Sequence, residues 1–243
     1  MGLSFTADDD KIVLDGVSSD AMGLYFDYLE VPPMAQQRKT KWSTRRDEDG
    51  FSNDDTYENL SYPFSCFTFM NDDYYNSAIY RYFAEAKKLE IARLPDWYYK
   101  IVDVRLASEQ ILGGKRIGYK GTFELSPFRY KVDNDPVTIN NNATITYNGT
   151  RYGKPVIFGV SGTAQDLIVN CTHNNVQERL TILNCQAGET IYIDTERKIV
   201  HDGTNILFNR VDGVYPTLQT GENTISWDGQ FSSAQLIKNE RGY

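Results

Sequence analysis

From about residue 137 onward the chain shows no helical period, and this most narrows what it can fold into. Short apolar alternations recur instead: Ile145/Tyr147, Val156/Phe158/Val160, Leu167/Val169, Leu180/Ile182, Ile191/Ile193, Ile206/Phe208 and Ile225/Trp227. Turn pairs separate them, among them Asn148-Gly149, Ser161-Gly162, Ala187-Gly188, Asp202-Gly203, Asp212-Gly213 and Thr220-Gly221. Strands spaced roughly 8–12 residues apart, with turns and no helix between them, predict a β-sandwich. Asp133-Asn134-Asp135-Pro136 reads as a junction ahead of it, so two domains are expected, 1–132 and 133–243.

The first part is mixed. Lys11 to Leu14 is a short apolar run closed by an Asp15-Gly16 turn, and Gly23 to Leu29 is rich in strand formers. Residues 31–58 lack apolar periodicity, with a basic first half (Arg38, Lys39, Lys41, Arg45, Arg46) and an acidic second half. That predicts a long loop or arm, zwitterionic rather than phosphate-binding, because the acidic run repels phosphate. Leu60, Tyr62, Phe64 and Cys66 alternate and Phe67 and Phe69 change phase, which predicts a strand with a bulge, with Pro63 at an edge. Residues 72–90 form the one expected helix. Asn71 is placed to cap it, Asp72-Asp73 suit its first turn, and Tyr75, Ile79, Tyr82, Phe83, Ala86 and Leu89 share a face. Strands follow over Trp97–Leu106 and Tyr119–Leu125, the second ending at Ser126-Pro127. The overall expectation is an α+β, mostly β chain.

Several chemistries find no support. The only histidines are His173 and His201, and no nucleophile elbow, P-loop, dinucleotide fingerprint or zinc-binding pair occurs. The acidic clusters (Asp8-Asp9-Asp10, Asp47-Glu48-Asp49, Asp54-Asp55, Asp72-Asp73) read as solvated loop charge, and the glycine after Asp49 is misplaced for a calcium loop. No enzyme activity, cofactor or metal is expected. Cys66, Cys171 and Cys185 are odd in number and far apart, which predicts free thiols. A net charge of 25 − 33 = −8 argues against a surface built to grip nucleic acid. No stretch is long and apolar enough to cross a membrane, and the acidic start at Asp8 has no leader core, so membrane insertion and export are not expected. The Gly2/Thr6 spacing matches a minimal acylation pattern, and the Asn-x-Ser/Thr triplets, such as Asn148-Gly149-Thr150, read as turns. The 17 Tyr and 12 Phe favour strands and aromatic packing surfaces.

In order along nearly the whole chain, several segments resemble the distal tail protein family of long-tailed bacteriophages. They are Leu14-Asp15-Gly16-Val17-Ser18-Ser19-Asp20 followed by Gly23-Leu24, the helix followed by Trp97-Tyr98-Tyr99-Lys100, and Phe123 to Tyr130 with its Pro127-Phe128 step. In the second half they are Asn148 to Phe158, Tyr215-Pro216-Thr217-Leu218, and Gly221-Glu222-Asn223-Thr224-Ile225. Gly153 and residues 31–58 depart from the family pattern. The resemblance implies an N-terminal belt domain of strands plus one helix, followed by a galectin-like β-sandwich. It implies a structural virion protein made in the bacterial cytoplasm, a homo-hexameric ring at the tail tip. Such a ring joins the tail tube protein to a tail-associated tip protein and lets DNA pass without specific binding.

The competing expectation is a carbohydrate-binding module that contacts the host cell wall. Sugar-binding galectins use a His-x-Asn-x-Arg strand and a stacking Trp. Here His173 and Asn175 supply the first two, Gln177 stands where Arg is needed, and Trp227 is the one Trp of the sandwich.

Overall fold

The computed structural model describes residues 10–43, 49–70, 73–111, 116–229 and 231–243. The Gly2/Thr6 pattern, Asp8-Asp9, Asp47-Glu48, Asn71 with Asp72, and residues 112–114 lie outside the described residues. Contacts divide the chain into two compact units, 1–132 together with Tyr243, and 133–242. The fold is α+β and mostly β.

The first unit contains β1 (Ile12–Leu14), β2 (Val17–Ser18), β3 (Tyr25–Phe26), β4 (Gln37–Ser43), β5 (Asp49–Tyr57), β6 (Leu60–Thr68), α1 (Asp73–Ala84), β7 (Lys88–Ile91), β8 (Trp97–Ile111) and β9 (Arg116–Lys131). Its main sheet runs β2-β1-β7-β8-β9-β6-β3, with every pair antiparallel, and β4-β5 forms a separate two-stranded sheet. Asp15 (φ 48°) and Gly16 (φ 86°) both take the left-handed conformation that a two-residue hairpin turn needs.

The strand order imposes a shape on this unit. β2 and β3 stand at opposite ends of the sheet, yet only the residues between Ser18 and Tyr25 connect them. Seven residue steps reach at most ~25 Å when fully extended. Laid flat, the strands from β2 to β3 would span ~29 Å at the usual inter-strand spacing. The connection is also far from extended, because Ala21, Met22 and Gly23 donate to the carbonyls of Ser18, Ser19 and Asp20. The sheet therefore rolls up, and α1 fills the hollow. Ile79 and Phe83 are fully buried, and the Phe83 ring stacks on Phe64 at 5.0 Å, which stacks on Phe123 at 4.5 Å. Gly121 lies opposite Phe64 in the ladder, and a Cβ there would sit 2.5 Å from the Phe64 ring and 2.6 Å from the Arg105 carbonyl.

Several expectations are corrected here. The helix ends at Ala84, short of residue 90, because Leu89 and Ile91 are buried as alternating strand residues opposite Leu14 and Ile12 of β1. Residues 31–58 include a hairpin: the register sets Lys39 opposite Asn53, Lys41 opposite Phe51 and Ser43 opposite Asp49, so Arg38, Lys39 and Lys41 fall on one strand and Asp49, Asp54 and Asp55 on the other, while Arg45, Arg46, Asp47 and Glu48 lie outside the described residues. β6 keeps one phase from Leu60 to Thr68 without a bulge. Thr68 is the inward residue, and Phe67 lies on the outer face. β8 runs past Leu106 to Ile111, and β9 runs through Pro127 to Lys131.

The second unit is a sandwich of β10 (Val137–Thr138), β11 (Ala143–Tyr147), β12 (Val156–Ser161), β13 (Leu167–His173), β14 (Val176–Ile182), β15 (Thr190–Asp194), β16 (Ile199–His201), β17 (Val211–Gly213), β18 (Gly221–Asp228) and β19 (Phe231–Ile237). One sheet is β10-β19-β12-β15-β16 and the other β11-β18-β13-β14-β17, and both contribute to one core. In β12 the inward residues are Ile157, Gly159 and Ser161. Val156, Phe158 and Val160 form the half-buried outer face, where Phe158 stacks on Tyr192. Ile206 and Phe208 are not a strand pair: a short 3-10 turn covers Phe208–Arg210, and both side chains are exposed. Tyr147 is fully buried, and its hydroxyl accepts the Arg241 N–H at 2.9 Å. A Cβ at Gly149 or Gly153 would stand 2.3 Å or 2.6 Å from that side chain, which accounts for glycine at 153.

Removal of the central ring should cost the most. Phe83→Ala is expected to lose about 3–5 kcal/mol in denaturant titration, and Gly121→Ala about 1–3 kcal/mol through overpacking. Near-native midpoints for both would contradict a helix plugged into a rolled sheet. The three thiols are buried, and burial pushes those of Cys66 and Cys171 up to about 12. A thiol-specific disulfide reagent at mildly alkaline pH should find no fast-reacting thiol in the native chain and all three after unfolding. The folded state holds these protons more tightly than the unfolded chain, whose thiols titrate near 9.0. Their stabilising contribution is therefore complete below about pH 9 and disappears as pH rises towards about 12, so the unfolding midpoint should fall across that window.

Candidate functional site

Among the described residues no group of three or more His, Cys, Asp or Glu side chains could hold a metal ion, and no helix is long and apolar enough to cross a membrane. A part-buried, bidentate charge pair belongs to the fold. Arg210 grips both oxygens of Glu189 at 2.6 and 2.8 Å, and the same guanidinium donates to the carbonyls of Leu183 and Asn184. Hydrogen bonds from Arg210 hold the Glu189 carboxyl below its usual range. Asp202, its carboxylate taking the N–H groups of Asn205 and Thr204, is lowered to about 2 in a tight turn.

The first unit leaves backbone edges without strand partners. β7 pairs with β8 only at Tyr98, Tyr99 and Lys100. The β8–β9 register shifts on either side of Ile101, where β7 pairing stops. From Asp103 to Ile111, β8 has β9 on one side and no described strand on the other. On the far side of the sheet, β3 covers only Cys66 and Phe67 of β6, so Pro63 faces a side without a strand and costs the ladder nothing. The β4–β5 hairpin has no third strand among the described residues. A lone two-stranded hairpin is at best marginally stable in water.

Aromatic surface gathers around one corner of this unit. Tyr25 stacks on Phe67 at 5.6 Å, and Phe69 meets both rings edge-on. Tyr25, Phe69 and Met70 are each more than half exposed, and Tyr74 at the start of α1 is 87% exposed. A groove of about 440 Å³ between α1 and the β1–β2 hairpin is lined by Val17, Met22, Tyr74 and Tyr82, with the exposed Arg81–Glu85 pair at its rim. Tyr82 donates to the Val17 carbonyl and Tyr75 to that of Met22, which ties the helix to the sheet end.

In the second unit a cavity of about 310 Å³ opens beside the β13–β14 turn. Cys171 and His173 reach it from β13, Val176 and Glu178 from β14, and Thr217 and Gln219 from the segment before β18. The turn itself is Asn174 (φ 47°) and Asn175 (φ 63°), two residues that tolerate the left-handed conformation. The Glu178 carboxylate accepts the Thr217 N–H at 2.6 Å and its hydroxyl at 2.9 Å. The Cys171 thiol donates to the Thr217 carbonyl at 3.2 Å.

The expected trio of His173, Asn175 and Trp227 is not brought together. His173 lines the cavity, and Asn175 is exposed on the turn and does not line it. Trp227 pairs opposite Val169, four residues along β13 from His173, and is 7% exposed in the core with its ring against Phe231. Trp227 shares the inward face of β18 with Ile225. Sequence reasoning missed Glu178, which reaches the cavity because the Asn-Asn turn brings β14 back beside β13, and Gln219, which comes from the segment before β18.

No family model matches the chain, and no curated protein matches it. Among solved structures it is similar to the Dit protein of phage SPP1, described as a paradigm of the hub adsorption apparatus in phages that infect Gram-positive bacteria. The TM-score is 0.68 at 10% identity, and the match covers 95% of this chain and 98% of that one. The likeness therefore concerns the fold of both units.

Glu178→Ala would leave the Thr217 N–H and hydroxyl without their acceptor, and should cost about 1–3 kcal/mol in denaturant titration. Glu178→Gln, which keeps an acceptor oxygen, should recover most of that loss. Equal stability of all three proteins would contradict the hydrogen-bonding role.

Proposed function

We propose that this chain is a structural hub subunit at the tip of a phage tail. In this reading the first unit is the ring-forming belt and the second a galectin-like sandwich. Copies close into a homo-hexameric ring that joins the tail tube protein to a tail-associated tip protein. DNA passes through the lumen without specific binding. The role is assembly, not catalysis, and the chain works in the virion after synthesis in the host cytoplasm.

The observation that carries this reading is the fold likeness to the SPP1 hub protein over nearly the full length of both chains. Two features of the first unit are in keeping with it. One is a polar hairpin with no third strand among the described residues, and the other is the Asp103–Ile111 edge with no described strand beside it. Edges left open by one copy are natural places for another to add strands. A contact between unlike surfaces that closes on itself gives a ring. The exposed Tyr25, Phe69, Met70 and Tyr74 fit an aromatic-rich interface. A net charge of −8 suits a lumen that repels passing DNA.

Native mass spectrometry of the purified chain should give six or twelve times the protomer mass. Replacement of residues 38–56 by a short glycine-serine linker should leave a folded monomer, because that hairpin forms its own sheet and Tyr57, whose ring packs on Phe128, is kept. A parent chain that stays monomeric at high concentration would overturn the ring. A linker variant that assembles like the parent would show that the hairpin is not part of the contact.

A further inference from the structure

The cavity beside the β13–β14 turn is lined by hydrogen-bond acceptors, and the side chains fix which atoms accept. His173 Nδ1 lies 2.8 Å from the Glu222 carbonyl, which can only accept, so Nδ1 carries the proton. Nε2 lies 2.9 Å from the Asn174 amide nitrogen, which can only donate, so Nε2 accepts. That amide belongs to an exposed turn residue, so a ligand can displace it from Nε2. Across the cavity, Glu178 presents a carboxylate whose two oxygens already take the N–H and hydroxyl of Thr217. Gln219 is exposed at the rim, with a side-chain amide able to donate or accept. Val176 and Cys171 supply apolar surface.

This lining selects its ligand by chemistry. An anion would meet the Glu178 carboxylate. A metal ion lacks a ligand set, since no three metal-binding side chains converge among the described residues. The Cys171 thiol, buried and bonded to the Thr217 carbonyl, stays protonated at physiological pH and is neither nucleophile nor ligand. What fits is a neutral molecule with several O–H donors on one side and C–H surface on the other, small enough for about 310 Å³.

We propose that the cavity framed by His173, Asn174, Val176, Glu178 and Gln219 is a binding subsite for a single neutral sugar unit. The hydroxyls of that unit donate to His173 Nε2 and Glu178, and its ring lies against Val176 and Cys171. This site shares only His173 with the trio expected from the sequence, and it does not use Trp227. It lies within the sandwich, and the hub reading does not depend on it. With no aromatic ring to stack on, affinity is expected to be on the order of millimolar.

Saturation-transfer NMR on the full chain provides the test, with glucose, galactose and N-acetylglucosamine as probes and n-butylamine as a cationic control. At least one sugar should show saturable transfer. Val176→Trp fills the mouth from an exposed position and should abolish that transfer, and His173→Ala should weaken it at least about five-fold. Circular dichroism and the thermal midpoint should stay those of the parent in Val176→Trp. No transfer to any sugar at ten times a millimolar constant overturns the proposal. So does transfer that survives Val176→Trp, or saturable binding of the amine alone.

Discussion

The short link between β2 and β3 is the constraint on which the first unit depends. Two strands at opposite ends of a sheet are tied by a segment too short to cross it flat. The sheet must therefore roll, and a rolled sheet needs something to fill it. α1 does so through Ile79 and Phe83, and the Phe64–Phe83–Phe123 stack sets how closely helix and sheet approach. Gly121 is required by the same closeness. Rolling also explains why strand partners are incomplete. β7 leaves β8 after three residues, β3 covers two residues of β6, and the rest of each edge has no described strand beside it.

Elements that bury one face against water were legible in the sequence. β6, the inward residues of β13, β14 and β18, and the ring face of α1 all follow from periodicity. Where both faces are apolar, as in β12, alternation identified the strand and not its inward side. The end of α1 was misread because Leu89 fits a helical stripe and a strand equally well, and pairing with Leu14 decides between them. The β4–β5 hairpin was invisible for a different reason. Its strands carry no apolar alternation, and their only signature was a basic run followed by an acidic one. That signature suggests loop chemistry, yet Arg38, Lys39 and Lys41 lie on one strand of the hairpin and Asp49, Asp54 and Asp55 on the other.

The second unit shows how sequence spacing and spatial proximity diverge. His173 and Glu178 are separated by a tight Asn-Asn turn, so they arrive at one cavity from adjacent strands. Trp227 shares a sheet with them and is carried into the core by the two-residue period of β18. A motif reading that takes side chains by type combines Trp227 with His173, whereas the register separates them. The glycine at 153 likewise had no reading, and the one at 149 was read only as a turn, until Tyr147 was seen to fill the space at both positions.

If the rolled sheet, the β8 edge with no described strand beside it and the two-stranded hairpin are parts of a closing assembly, an image of that assembly tests the account most directly. Cryo-electron microscopy of the purified chain should show rings of six copies around an axial opening. The Asp103–Ile111 edge of each copy should be covered by backbone from its neighbour. Single protomers at all concentrations, or an assembly in which that edge and the hairpin both face solvent, would contradict it.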